Sequence, residues 1–187
     1  MRIISGAYKG RTLKTTTGPG FRPAMGKVRE ALFSMLEAQG VYWPEARVLD
    51  LFAGSGSLGF EALSRGAAFA CFVEAAPYAA SVIAKNAALL GVEEDRILIR
   101  QEQAGKVLGK APAQPFSVVF IDPPYQMQIL GHTLKTLLKN GWAAPGAVIN
   151  AEVEERTPFT PEKAHPSLKL LADRAYGQTR VILWTHE

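Results

Sequence analysis

Between residues 47 and 153 the chain alternates short apolar runs with stretches of helical periodicity, and that rhythm admits few folds. Arg47 to Phe52, Ala68 to Glu74, Arg96 to Arg100, Phe116 to Ile121 and Ala147 to Val153 read as buried strands. Leu58 to Arg65, Pro77 to Leu90, a short piece near Glu102 to Leu108, and Met127 to Asn140 read as helices. Pro77 suits a first turn, and Gly141 suits a stop. Repeated strand–helix–strand units require crossover connections and a parallel sheet covered on both faces. The tail breaks the rhythm. Leu168 to Tyr176 and Thr179 to Trp184 are extended runs separated only by Gly177-Gln178, which predicts an antiparallel hairpin at the sheet edge. The expectation is an α/β fold with a mostly parallel seven-stranded sheet.

Ahead of this body, Arg2 to Ser5 and Arg11 to Lys14 flank a turn region carrying Gly6 and Gly10, so the first residues read as a hairpin. Thr15 to Gly20 is a loop by composition. Val28, Leu32, Met35 and Leu36 recur at helical spacing and predict a helix from about Lys27 to Gln39, closed by Gly40. The expected division is a small basic hairpin arm over residues 1–22 and a doubly wound domain over residues 23–187.

Charge separates the two parts. Residues 1–29 hold seven basic side chains (Arg2, Lys9, Arg11, Lys14, Arg22, Lys27 and Arg29) and no acidic one, a charge of +7. The other 158 residues hold 14 basic and 17 acidic side chains and carry −3. A charge block of this kind suits a polyanion, because each phosphate contact releases counterions. The alternative is a solvated basic hairpin that binds nothing. The single cysteine, Cys71, excludes an intramolecular disulfide and fits a reducing compartment. No apolar run reaches the ~20 residues of a membrane helix, and Met1 to Gly6 does not read as a secretory leader. A cytoplasmic monomer without membrane contact is expected.

Two short motifs carry chemistry. Asp50-Leu51-Phe52-Ala53-Gly54-Ser55-Gly56 ends the first strand, and Asp122-Pro123-Pro124-Tyr125 ends the fourth. In doubly wound sheets, ligands bind at the carboxyl ends of strands, near the point where the strand order reverses. Gly54 and Gly56 let the backbone turn tightly and sit close to a ligand. Glu74, 20 residues after Gly54 and followed by the small Ala75, is placed to bind both hydroxyls of a ribose. Gly54-Ser55-Gly56-Ser57-Leu58-Gly59 also satisfies the dinucleotide pattern, while the Lys of a P-loop is missing. Asp50 and Phe52 favour S-adenosyl-L-methionine, since a carboxylate there can draw in the amino group of its methionine part. Gln103, after the third strand, stands where a polar side chain can meet the adenine amine.

At the second motif, Asp122 can accept one N–H of an exocyclic amine and the Pro123 carbonyl the other. Two acceptors out of the ring plane favour a pyramidal, nucleophilic nitrogen. Pro123 and Pro124 fix φ and remove backbone donors. Tyr125 can stack on a base drawn out of its helix. His132, His165 and His186 are scattered, so no metal site is expected. Glu152, Glu154 and Glu155 read as a solvated edge after the fifth strand.

Taken together, these residues resemble the RsmD-type 16S ribosomal RNA guanine-N2 methyltransferases of bacteria. The resemblance runs through Arg2-Ile3-Ile4-Ser5-Gly6, Lys9-Gly10-Arg11, Arg22-Pro23 and Val28-Arg29-Glu30-Ala31-Leu32-Phe33. It continues through the Asp50 and Asp122 motifs, Glu61-Ala62-Leu63-Ser64-Arg65-Gly66, Glu74, Asn86 and Tyr176-Gly177-Gln178-Thr179. It implies a class I, Rossmann-like S-adenosylmethionine-dependent methyltransferase. The implied reaction is methylation of N2 of one guanine in 16S rRNA, on an assembled or assembling small subunit. The base would lie at Asp122 and Tyr125, the cofactor at Asp50, Gly54 and Glu74, and the RNA backbone on the basic arm. The chain departs from the family pattern at Ala24-Met25-Gly26 and at Gln103. Rival readings are an adenine-N6 nucleic-acid methyltransferase, since Asp-Pro-Pro-Tyr also serves adenine amines, and a non-catalytic rRNA-binding assembly factor. A nicotinamide-dependent oxidoreductase is the third.

Overall fold

In the computed structural model, which describes residues 1–16, 24–123 and 129–187, seven strands form one sheet. They are β1 (Arg47–Leu51), β2 (Phe69–Val73), β3 (Ile97–Arg100), β4 (Phe116–Ile121), β5 (Ala143–Glu154), β6 (Leu168–Tyr176) and β7 (Thr179–His186). Their order across the sheet is β3-β2-β1-β4-β5-β7-β6. The first five run parallel, and β7 joins β5 and β6 antiparallel, so the tail is the expected edge hairpin. Strand order reverses between β1 and β4, which makes the carboxyl ends of those two strands the ligand crevice of the fold.

The helices are α1 (Ala24–Ala38), α2 (Ser57–Ser64), α3 (Pro77–Leu90), α4 (Ala104–Leu108) and α5 (Leu130–Lys139). Alternate residues of each strand enter different cores, as a pleated strand requires. Val48, Phe72, Val118, Phe120, Val148 and Leu183 pack under α1, α2 and α3. Leu49, Leu51, Cys71, Val119, Ile149 and Trp184 pack under α4 and α5. Cys71 is therefore a core residue. Gly40 and Gly141 both adopt positive φ where they stop α1 and α5.

One strand boundary differs from expectation. The fifth strand starts four residues early, at Ala143, with Gly146 at φ 77 and a register irregularity opposite Phe116–Val118 absorbing the bend. The basic arm is the expected hairpin, in short form: an antiparallel bridge joins Arg2 to Thr12, and the N–H groups of Ile3, Gly10 and Leu13 donate to the carbonyls of Arg11 (3.0 Å), Ile3 (2.9 Å) and Met1 (2.7 Å). The arm packs onto the domain, with Ile3 and Leu13 among the core residues.

What holds the arm is Glu61 of α2, fully buried. Its carboxylate accepts the N–H groups of Ile4 (2.8 Å) and Ser5 (3.0 Å) and pairs with Arg65 at 3.0 Å. Ser64 Oγ accepts the Tyr8 N–H at 2.9 Å. Gly6 sits at φ +82, and a Cβ there would lie 1.7 Å from the Ser64 carbonyl oxygen. At the other end Arg11 donates to the Leu89 and Leu90 carbonyls, a cation on the negative end of α3. Among the described residues no helix is long and apolar enough to cross a membrane. We predict that Glu61→Ala, which leaves two amides unmet and takes a carboxylate from the buried Arg29 and from Arg65 (which keeps Glu37), costs about 3–5 kcal/mol in denaturant unfolding. Faster exchange of the Ile4 and Ser5 amides should accompany it.

Candidate active site

The strand ends place the predicted residues along one rim. Gln103 follows β3, Glu74 follows β2, residues 52–56 follow β1, and Asp122 and Pro123 follow β4. β1 is hydrogen-bonded to both β2 and β4, so Glu74 and Asp122 flank the glycine loop on either side. Pro124, Tyr125 and Arg22 lie outside the described residues.

The turn out of β1 is strained where it meets the rim. Phe52 holds φ 61, unlike any other described non-glycine residue, a conformation that costs about 1–2 kcal/mol. The two loop glycines serve different purposes. Gly54 (φ +55) faces open space, with nothing within 4 Å of where a Cβ would stand. Gly56 (φ +78) has its missing Cβ position crowded by Phe60 at 2.7 Å and Phe72 at 2.9 Å. Gly54 is thus the position where a ligand can approach the backbone, and Gly56 is fixed by packing. Ala53 and Ser55 on either side of Gly54 are both partly accessible.

Glu74 holds the loop from the side. Its Oε2 accepts the Gly54 N–H and its Oε1 the Ala76 N–H, both at 2.8 Å. A carboxylate has about four acceptor directions, so each oxygen keeps capacity for a ribose hydroxyl. Ala75 is exposed beside it. Gln103 is the exposed residue capping α4, with its side chain free to meet an adenine edge.

Asp50 takes a different place from the one expected. It is 2% exposed, and its Oδ2 accepts the Gly59 N–H at 3.0 Å beneath the loop. Burial pushes its carboxyl well above the usual range, against the Gly59 hydrogen bond, and Asp122 and Glu74 add to the rise. It therefore anchors the first turn of α2 instead of lining an open surface. Asp122, partly accessible, is pushed up by burial to about 6.

Asn86 was only one residue in a sequence pattern, yet it joins the arm to the loop. Fully buried in α3, it accepts the Lys14 N–H at 2.8 Å and donates to the carbonyls of Lys14 and Ser55, each at 3.0 Å. The basic residues also separate. Arg2, Lys9, Lys14 and Lys27 are exposed, whereas the Arg11 guanidinium is occupied at α3. Arg29 is buried against Glu61, Arg2 O and Met1, so it cannot serve as a surface contact for RNA. Its place on the inner stripe of α1, one residue after Val28, was the available signal. Glu152 is likewise not on a solvated edge. It lies within β5, two residues from the buried Asn150, on the face that carries Asp122. Alternation of Val148, Asn150 and Glu152 through the apolar run could have revealed it. No group of residues suited to a metal ion occurs among those described.

Gly54→Ala and Gly56→Ala should differ in denaturant unfolding. Gly54→Ala should cost about 1–2 kcal/mol, from φ alone. Gly56→Ala should cost clearly more, because Phe60 and Phe72 must move.

Comparisons with known proteins place this geometry. The family described as conserved hypothetical protein 95 matches residues 1–185. Ribosomal RNA small subunit methyltransferase D of Escherichia coli (strain K12) is 36% identical over 189 residues, spanning 100% of this chain and 90% of that protein. The Haemophilus influenzae protein of the same name is 37% identical over 164 residues, 87% of this chain and 83% of its own length. The solved structure of Escherichia coli yhhF superposes with a TM-score of 0.86 at 35% identity, covering 100% of this chain and 98% of that one. With the family matched over almost its whole length and relatives above 30% identity across it, the chain belongs to the conserved hypothetical protein 95 family, the RsmD family of methyltransferases.

Proposed function

We propose that this protein uses S-adenosyl-L-methionine to methylate the exocyclic N2 of one guanine in 16S rRNA, on the assembled or assembling small ribosomal subunit. The observation that carries the reading is the side-by-side placement of the Gly54 loop and Asp122 on hydrogen-bonded strands at the switch point. The relatives named ribosomal RNA small subunit methyltransferase D support the substrate class.

Gly54, Ala53, Ser55, Glu74, Ala75 and Gln103 would hold the cofactor, with Phe52 and Asp50 shaping the loop. When bound, it supplies an electrophilic methyl on a sulfonium, and the electron pair of the broken C–S bond stays on sulfur. Asp122 accepts one N2–H and the Pro123 carbonyl the other, turning the nitrogen lone pair out of conjugation. As the N–C bond forms, N2 gives up one proton, and Asp122, more basic than an ordinary carboxylate, receives it. Pro124 would stiffen the turn, and Tyr125 would stack on the flipped base. Arg2, Lys9, Lys14 and Lys27 would meet phosphates, and the Lys14–Asn86–Ser55 link ties that contact surface to the cofactor loop.

The test is incubation with labelled cofactor and, separately, unmodified small subunits, naked rRNA and duplex DNA, followed by nucleoside identification. N2-methylguanosine from subunits is expected, and N6-methyladenine in DNA would overturn the substrate. Asp122→Ala should lower kcat on the order of 10²- to 10³-fold while calorimetric cofactor affinity holds. Activity should rise with pH through about 6, because only the ionised Asp122 accepts. Replacing Lys9, Lys14 and Lys27 with Gln should flatten the salt dependence of RNA binding.

A further inference from the structure

The rim carries a second carboxylate to which the chemistry above gives no task. β4 and β5 run parallel with Phe120 beside Asn150 and Ile121 beside Ala151. The next pair in that register is Asp122 and Glu152, on neighbouring strands ~4.8 Å apart, with both side chains on the face that α1 covers. Both residues are partly accessible. One pair deeper on the same face, Asn150 is 0% exposed, and neither its Nδ2 nor its Oδ1 has a hydrogen-bond partner among the described residues. The charged groups facing Glu152 are Asp122 from β4, Asp50 from β1 and Arg29 from α1, the last shared with Glu61 and influenced by Arg65 of the α2 end. Burial and the two carboxylates push Glu152 up to about 8, with Arg29 opposing them. Asp122 and Glu152 therefore titrate as a pair.

A carboxylate beside the one that holds the reacting amine separates the purines. Read outward from its methylated amine, guanine presents N2–H, then the N1–H donor, then the O6 acceptor. Adenine presents N6–H, then the N1 lone pair, then a C–H. An ionised carboxylate in the second position meets guanine with a hydrogen bond and adenine with lone-pair repulsion, whereas the protonated acid can donate to that lone pair, so the discrimination belongs to the ionised form and strengthens as pH rises.

We propose that Glu152 is the guanine-specificity residue: its carboxylate accepts N1–H while Asp122 accepts N2–H. The proposal rests on the N2-guanine reading above and extends it to why guanine is chosen.

The test compares reconstituted small subunits carrying guanine or 2-aminopurine at the methylated position. 2-Aminopurine keeps the C2 amine but has a lone pair at N1 and no O6. Wild type should prefer guanine strongly in kcat/KM. Glu152→Gln, whose amide can accept from N1–H or donate to a lone pair, should reduce that preference on the order of 10- to 100-fold. Glu152→Asp, which keeps the acceptor, should retain it. Cofactor affinity and Tm report folding for each variant. The wild-type activity limb contributed by the more basic member of the carboxylate pair should vanish in Glu152→Gln and persist in Glu152→Asp. If Glu152→Gln lowers both substrates equally, or Glu152→Asp loses guanine preference as fully as Gln, the residue is structural and the proposal fails. If wild type places no methyl on guanine N2, the underlying reading fails with it, a result the guanine subunits give on their own.

Discussion

The parallel pairing of β2, β1, β4 and β5 is the constraint from which the active rim follows. In a parallel sheet every strand delivers its carboxyl end to the same edge, so residues distant in sequence become neighbours without any contact between them in the chain. Glu74, the Gly54 loop, Asp122 and Glu152 meet only because Leu51, Val73, Ile121 and Ala151 lie in register. A slip of one residue in β5 would send Glu152 into the opposite core with Ile149 and Val153 and bring an apolar residue to the rim.

Polar groups then cut into an otherwise dry core under α1. Asp50, Glu61, Arg29, Asn86 and Asn150 are all buried there. Three of them are structural clasps: Glu61 holds the arm, Asn86 joins arm to loop, and Asp50 holds α2. Asn150 is different, because its side-chain amide has no hydrogen-bond partner among the described residues. Raised carboxyl pKa values at Asp50, Asp122 and Glu152 mean that the folded state holds their protons more tightly than the unfolded chain does. Their contribution to stability is present at low pH and is lost as pH rises through the folded values. Together with the strained Phe52, these groups concentrate energetic cost at one edge of the sheet, the pattern expected where local rules yield to function.

The arm shows how charge and structure can part company. The cations of residues 1–29, on the arm and the start of α1, read as one block in the sequence, yet they divide on folding. Arg11 caps a helix, Arg29 enters the core, and Lys9, Lys14 and Lys27 remain at the surface. Burial is set by the helical face or turn on which a residue falls, and net charge carries no information about that.

Much of the architecture was legible from residues alone. Alternating apolar runs specified the parallel strands, since a strand buried on both faces has no polar side to show. Gly177-Gln178 between two extended runs specified the edge hairpin, and the Gly54 and Asp122 motifs specified the two halves of the candidate site. What only the tertiary structure decided is which side chains share a space. The early start of β5 depends on the bend at Gly146, and the different duties of Gly54 and Gly56 depend on where Phe60 and Phe72 stand. The inward turn of Arg29 and the pairing of Asp122 with Glu152 depend on the packing of α1 and on the β4–β5 register. Local sequence fixes backbone tendency and period, whereas burial, pKa and contact are properties of neighbours that the chain acquires only once the sheet has formed.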